Sequence, residues 1–392
     1  MKKASLRLVA TLGLTQTIGY ASSFYLPAVL ARPMAEKIGT SVSTVYALFS
    51  VSLIIAALTA PFAGRCIDNW GGKRVLAASS IWFALSLVFL SQAQSVLSFF
   101  LGWASLGFAM GAGLYDMAFA AVVRSRGQSA QTIIIGITLI AGFASTIGWP
   151  ISHYFLANFG LRQALLVWAG VHLFLALPLN LSLVLPMLPG SVKSETSPNQ
   201  KQKKNNILMV FVLAMAFVCF GFCVNAMAGH MPRLLQLFGV SVAASIAVGT
   251  ALGPSQIFAR LIHLFVLQKQ HPINKAILAV LLMPLGAVSL VLFGQNAALA
   301  VCITHGFGSG TMFIVKGILP LRIFGEKGYG HRQGLLFLPA NIVQALSPFL
   351  FSLCIDTWGR GALYIYIVAI WIATLLFLWL KQLVKHDGAE SA

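Results

Sequence analysis

Polar residues divide the sequence into long apolar runs at nearly regular intervals. Six lie in the first half, at about Leu8–Leu30, Val42–Ile67, Val75–Ser91, Leu97–Val123, Thr132–Leu156 and Leu161–Leu185. Six more follow, at about Ile207–Gly229, Ser241–Leu267, Ala276–Gly294, Ala297–Leu321, Leu335–Ile355 and Ala362–Leu380. Each is near the ~20 residues that a helix needs to cross a hydrocarbon core. The pattern predicts an all-α membrane protein of twelve transmembrane helices. Ser191–Asn206 is polar and contains Lys193, Lys201, Lys203 and Lys204, the composition of a flexible linker. The expected division is therefore a six-helix bundle over 1–190, a linker over 191–206 and a second six-helix bundle over 207–392. Lys2, Lys3 and Arg7 before the first run resemble the start of a signal peptide. That run is too long for a signal's apolar core and many spans follow it, so it reads as an uncleaved first span.

Composition agrees with this class. With 58% hydrophobic and 9% charged residues and a mean hydropathy of +0.88, the chain has too little polar surface to cover a soluble globule of 392 residues. The formal charge of +18 is dispersed among short loops rather than gathered on one face, which excludes nucleic-acid binding. Placing the N-terminus in the cytoplasm puts about 19 of the 26 Lys and Arg on the cytoplasmic side, the positive-inside arrangement. Both termini and the linker are then cytoplasmic, and a bacterial inner membrane suits the short loops.

Charges inside the runs narrow the chemistry. Asp116 is the acid placed deep in the fourth run, and Lys316 holds a similar place in the tenth. Glycines precede each (Gly107, Gly111, Gly113; Gly306, Gly308, Gly310), and an arginine ends each run (Arg124; Arg322). An ionisable side chain at bilayer depth costs roughly 2.5–3.5 kcal/mol on insertion scales, so it usually faces a bundle interior or an aqueous cavity. At 1.5 Å per residue, Asp116 lies ~12 Å from Arg124 and Lys316 ~9 Å from Arg322. Arg260 in the eighth run is a further cation, placed either in a cavity or with its long side chain reaching the interface. In the first run Thr11, Thr15 and Ser22, flanked by Gln16, Tyr20 and Ser23, recur at helical spacing and mark a cavity-facing side, with Gln16 and Tyr20 as candidates for substrate or proton coupling. His305 and His230 could bind solute or relay protons, but single histidines without a carboxylate at helical spacing are more often hydrogen-bonded packing residues.

The second half weakly repeats the first. Gly64-Arg65-Cys66-Ile67-Asp68 resembles Ala259-Arg260-Leu261-Ile262-His263, and Trp149-Pro150 with Gly160 resembles Ser347-Pro348 with Gly359. The loop after the second run carries Gly64, Asp68, Gly71, Lys73 and Arg74, in the spacing G-x-x-x-D-x-x-G-x-[RK]-[RK]. On these residues the chain resembles the major facilitator superfamily over nearly its whole length. The resemblance implies two pseudo-symmetric six-helix bundles and transport by alternating access. It implies that Asp68 latches one conformation through a basic residue at the end of the fourth span, Arg124 or Arg126, and through the start of the eleventh. It also places Asp116 and Lys316 on opposite walls of a central cavity.

The chain departs from the family where Trp103 stands four residues before Gly107 in place of a common arginine, and where the second loop copy has lost its acid. Asp116 and Lys316 either couple proton movement to transport, gate the cavity as a pair, or fix helix packing as a static ion pair. The reading that follows is a proton-coupled secondary transporter, symporter or antiporter, of a small or medium organic solute, with the cations favouring an anion. The alternatives are an exporter of amphipathic or cationic drugs and a transporter-like receptor that moves nothing. No Walker loop, nucleophile–base pattern or metal-ligand spacing is present in the sequence, so neither an enzyme, a cofactor nor a metal is expected. The expected partners are a small-molecule substrate, protons and membrane lipids, and the expected state is a monomer.

Overall fold

The structure, a computed structural model, describes residues 3–126, 130–185, 205–267, 270–324 and 329–389. Helices are the regular structure of the described residues, which contain no strand, and the chain forms two compact units, Met1–Lys193 and Ser194–Ala392. Most of the proposed linker lies outside the described residues.

The first unit comprises α1 (Lys3–Ala21), α2 (Pro27–Ile38), α3 (Val42–Trp70), α4 (Gly72–Gln92), α5 (Val96–Gly113), α6 (Tyr115–Arg126), α7 (Ala130–Ala141), α8 (Ala144–Val171) and α9 (Leu177–Leu181). The second comprises α10 (Asn205–Leu237), α11 (Val242–Gly249), α12 (Leu252–Phe265), α13 (Pro272–Phe293), α14 (Ala298–Phe324), α15 (Tyr329–Trp358) and α16 (Ala362–Ala389). Among the described residues, eight helical stretches are long and apolar enough to cross a membrane. Three of them, Ile133–Leu181, Pro272–Lys316 and Asn341–Lys385, run to 45 residues or more. Each contains a glycine with positive φ: Gly160 (84°), Gly294 (57°) and Gly359 (53°). Only glycine takes that conformation without strain, and it lets the chain leave one helix and start another.

Each unit uses the same device to bring two helices together. A Cβ on Gly107 or Gly111 of α5 would strike the backbone carbonyl of Ser52 or Ala56 on α3. In the second unit Gly306 and Gly310 of α14 meet the carbonyls of Leu252 and Gln256 on α12. Small residues four apart form a flat stripe on which a neighbouring backbone can lie. The partner carbonyls of the two units are 200 residues apart, at 52 and 252 and at 56 and 256. In that register Arg260 stands where the first unit has Ala60, so matching it to Arg65 from the sequence strings was out by five residues. The position equivalent to Asp68 is then 268, outside the described residues, not His263. Side-chain strings at span ends diverge freely, whereas backbone contact holds the register.

The first unit has two apolar cores. One gathers Tyr46, Phe49, Leu90, Phe99, Trp103 and Trp168; the other gathers Leu12, Ile67, Leu76, Val122, Ile137 and Leu183. Trp103 is fully buried against Phe49, ring centroids 5.4 Å apart, so it packs into the core at the position where the resemblance implies an arginine. The fourth run passes from one core to the other, Met110 belonging to the first and Met117 to the second, and the candidate site lies at that passage.

Candidate functional site

The fourth apolar run is not one helix. α5 stops at Gly113, Leu114 is extended (φ −84°, ψ −168°), and α6 starts at Tyr115. Such a break exposes carbonyls on one side and N–H groups on the other, and inside an apolar unit both need partners. The first helix supplies them. Gln16 Nε2 donates to the Gly113 carbonyl at 2.8 Å, and the Tyr20 hydroxyl accepts the backbone N–H of Tyr115. Gln16 and Tyr20 are one helical turn apart, so a single face of α1 serves both sides of the break. The Tyr20 and Tyr115 rings pack at 4.6 Å, and Tyr115 stacks on Phe119 at 5.0 Å. Gln16 is only 2% exposed, and its Oε1 has no hydrogen-bond partner among the described residues. Asp116 sits in the first turn of α6, where the helix dipole favours a carboxylate. It is exposed while its neighbours Met117 and Ala118 are buried, and it lies within electrostatic reach of Tyr20.

The break in the first run is served in the same way. Between α1 and α2 the chain turns through 22–26; the Trp149 indole donates to the Tyr25 carbonyl at 3.1 Å, and Ser22 Oγ meets His172 Nε2 at 2.7 Å. His172 opens a π-helical turn (His172–Ala176) and stacks on Phe83 at 4.5 Å. Neither role had a sequence signal beyond the residue types.

The loop between α3 and α4 places the motif residues unequally. Gly71 has φ +85° and joins the two helices, a conformation that requires glycine. A Cβ at Gly64 would meet nothing within 4 Å, so neither space nor backbone requires that glycine here. Gly72, which the motif leaves open, is the tight position: a Cβ there would collide with Ala121 of α6. Lys73 and Arg74 are exposed. Asp68 faces Arg124, Oδ1 to Nη1 3.8 Å, with the Asp68 side chain 64% exposed. A pair that long and that wet is worth about 0–1 kcal/mol. Of the two arginines offered by the sequence, Arg124 meets Asp68, and Arg126 lines a separate cavity with Arg7.

In the second unit Lys316 is half-buried on α14. Arg260 is 6% exposed, its guanidinium 4.9 Å above the Phe313 ring, so it packs between α12 and α14 instead of extending to an interface. Phe313 and Lys316 are three residues apart and share a face of α14. His305 is buried, its Nδ1 2.8 Å from the Tyr366 hydroxyl, and His230 Nε2 meets the Pro348 carbonyl at 2.7 Å. An acidic contact the sequence did not flag is Asp356 with Arg233, which also donates to Ser352 Oγ at 3.0 Å.

The profile of the Major Facilitator Superfamily matches residues 12–315, which include the broken fourth span, the α3–α4 loop and α14 as far as the residue before Lys316. The chain belongs to the major facilitator superfamily. An "MFS-type transporter" of Gibberella moniliformis is 22% identical over 312 residues, covering 76% of this chain and 72% of the relative. Among solved structures, a mutant form of the nucleoside transporter NupG superposes with a TM-score of 0.74 at 15% identity, over 97% of this chain and 100% of that one. A bacterial homologue of the human lysosomal transporter Spinster, inward-facing and occupied, gives 0.71 at 14% identity over 97% and 98%. At such identities these superpositions speak for the fold alone. As a member of the superfamily the chain is an integral membrane transporter of small molecules and not an enzyme.

Proposed function

We propose that this superfamily member is a twelve-span secondary active transporter that couples proton movement to the passage of a small or medium organic anion. Two six-span halves are the natural reading of the three stretches of 45 residues or more, since a straight helix of that length measures roughly 67 Å against a hydrocarbon core of about 30 Å. The reading includes a monomer in a bacterial inner membrane with both termini cytoplasmic, as the positive charge of the loops favours.

The observation that carries the coupling role is the placement of Asp116. It is an exposed carboxylate in the first turn of a helix that begins inside an apolar span, held there by Gln16 and Tyr20. A carboxylate reachable by water can take and release a proton, and one at a helix break can move with it. Lys316 and Arg260 would bind the anionic group of the solute, with His305 lending a hydrogen-bonded neighbour on the same helix as Lys316. Gly64, Asp68, Gly71, Lys73, Arg74 and Arg124 would form the cytoplasmic latch.

A second reading, proton-driven export of amphipathic or cationic compounds, is favoured by the half-buried aromatic face of Tyr20, Phe24, Tyr115 and Phe119 beside Asp116. The likeness to a nucleoside transporter adds nucleosides to the solutes to be screened. The test is flux by purified protein in proteoliposomes, using solutes selected by thermal shift. Accumulation of an organic anion driven by a pH gradient supports the first reading, and accumulation of cations alone supports the second. Binding without either uptake or counterflow would make the protein a receptor and defeat both.

A further inference from the structure

A cavity of about 380 Å³ opens at the end of the first unit where α1 begins, within the roughly 300–1,000 Å³ of small-molecule sites. It is lined by Arg7, Leu8 and Thr11 of α1, Arg126 at the end of α6, and Ser182, Leu183 and Val184 after α9. We propose that this cavity holds the phosphate headgroup of an anionic lipid.

Arg7 and Thr11 are one turn apart on α1 and share a face, and Arg126 comes to the same concavity from another helix. A guanidinium presents a planar fork of donors matched to phosphate oxygens. The Ser182 hydroxyl is already turned to the Leu179 carbonyl at 2.8 Å, so recognition of the anion falls to the arginines. The other walls are apolar: Leu8 and Leu183 are 4% exposed, and Val184 at the mouth is largely open.

Each arginine has a plainer explanation on its own. Arg7 is a positive charge flanking a span, and Arg126 sits at a helix C-terminus, where the dipole favours a cation. Neither explanation accounts for both guanidiniums sharing one cavity with a leucine wall. Free phosphate would leave that wall wet. An amphiphile satisfies both halves, and basic pockets between spans are where anionic headgroups dock. The site is distinct from Asp116, Gln16 and Lys316, so it stands whether or not the transport reading does.

The test uses the purified protein in mixed micelles. Phosphatidylglycerol, phosphatidylcholine and sodium phosphate at matched ionic strength are compared by retained adducts in native mass spectrometry and by thermal unfolding midpoint. The expected result is one retained phosphatidylglycerol and a raised midpoint, with neither from phosphatidylcholine nor phosphate. With an arginine near the membrane worth about fivefold in binding, Arg7→Gln should weaken retention about fivefold and Arg7→Gln with Arg126→Gln roughly twenty-fivefold. Arg7 is exposed, so its single variant decides the matter if the double variant does not fold. Undiminished phosphatidylglycerol retention in Arg7→Gln overturns the proposal. A midpoint raised equally by sodium phosphate overturns the lipid assignment in favour of a free anion.

Discussion

The side-chain amide of Gln16 donates to the backbone carbonyl of Gly113, 97 residues further along the chain, where the fourth span breaks. A carbonyl can only accept, so the amide nitrogen must face it and Oε1 is left as the spare acceptor. Gln16→Leu is expected to lower stability by about 1–3 kcal/mol, the cost of a buried carbonyl left without its donor. The thermal unfolding of the variant checks this, and an unchanged midpoint would mean that the break is held without Gln16.

Asp116→Asn is expected to abolish solute accumulation driven by a pH gradient while leaving counterflow in place, because exchange needs no net proton release. Lys316→Ala is expected to raise the concentration needed for half-maximal counterflow of an anion by at least tenfold, as a charge-assisted hydrogen bond is worth about 1.5–3 kcal/mol. Both are read in proteoliposomes at equal protein content. Full gradient-driven uptake in Asp116→Asn removes that residue from coupling.

Asp68→Asn is expected to leave the unfolding midpoint within experimental error, since the Asp68–Arg124 pair is long and exposed. Transport should nevertheless fall severalfold, because a latch acts by the difference it makes between conformations. Stability and flux are measured on the same preparation. A loss of both together would make Asp68 a structural residue.

The two motif glycines separate cleanly. Gly71→Ala places a Cβ on a backbone at φ +85°, ψ 148°, and should cost about 1–3 kcal/mol. Gly64→Ala meets nothing within 4 Å and should be neutral in stability. Unfolding midpoints test both. Lost transport in a fully stable Gly64→Ala would show that this glycine is needed in another conformation.

His271 caps α13 by accepting the Ile273 N–H on Nδ1 at 3.3 Å. Burial, followed by the charges of Arg322, Lys275 and Lys381, holds its pKa below the ordinary 6.5. A base with a depressed pKa in the folded state takes up its proton first in the unfolded chain. Stability is therefore level above pH 6.5 and falls as pH drops below it. The His271→Asn variant keeps a capping oxygen and does not titrate, so it should lose this component. Midpoints recorded from about one pH unit above that value to one below it, for both proteins, give the comparison, and parallel curves would exclude His271 as the source.

Much of the architecture was legible along the sequence because a bilayer imposes a one-dimensional condition. A stretch that crosses lipid must be long, apolar and internally hydrogen-bonded, and the spacing of apolar runs records that directly. The glycine rows of α5 and α14, the α3–α4 loop pattern and the family were readable for the same reason: each is carried by residues close together in the chain. Which residues meet across helices is not written there. The break at Leu114 lies inside an unbroken apolar run, so hydropathy passes over it. The sequence marks Gln16 and Tyr20 as part of a cavity-facing side and as candidates for substrate or proton coupling; their contact with the broken fourth span depends on the register of α1 against the helices on either side of the break. The choice of Arg124 over Arg126 for Asp68, the stacking of Arg260 on Phe313 and the meeting of Arg7 with Arg126 are likewise matters of register and rotation. Hydropathy measures how a residue partitions from water, a property of one side chain; a hydrogen bond or a cavity depends on the placement of at least two, and only the packed helices determine it.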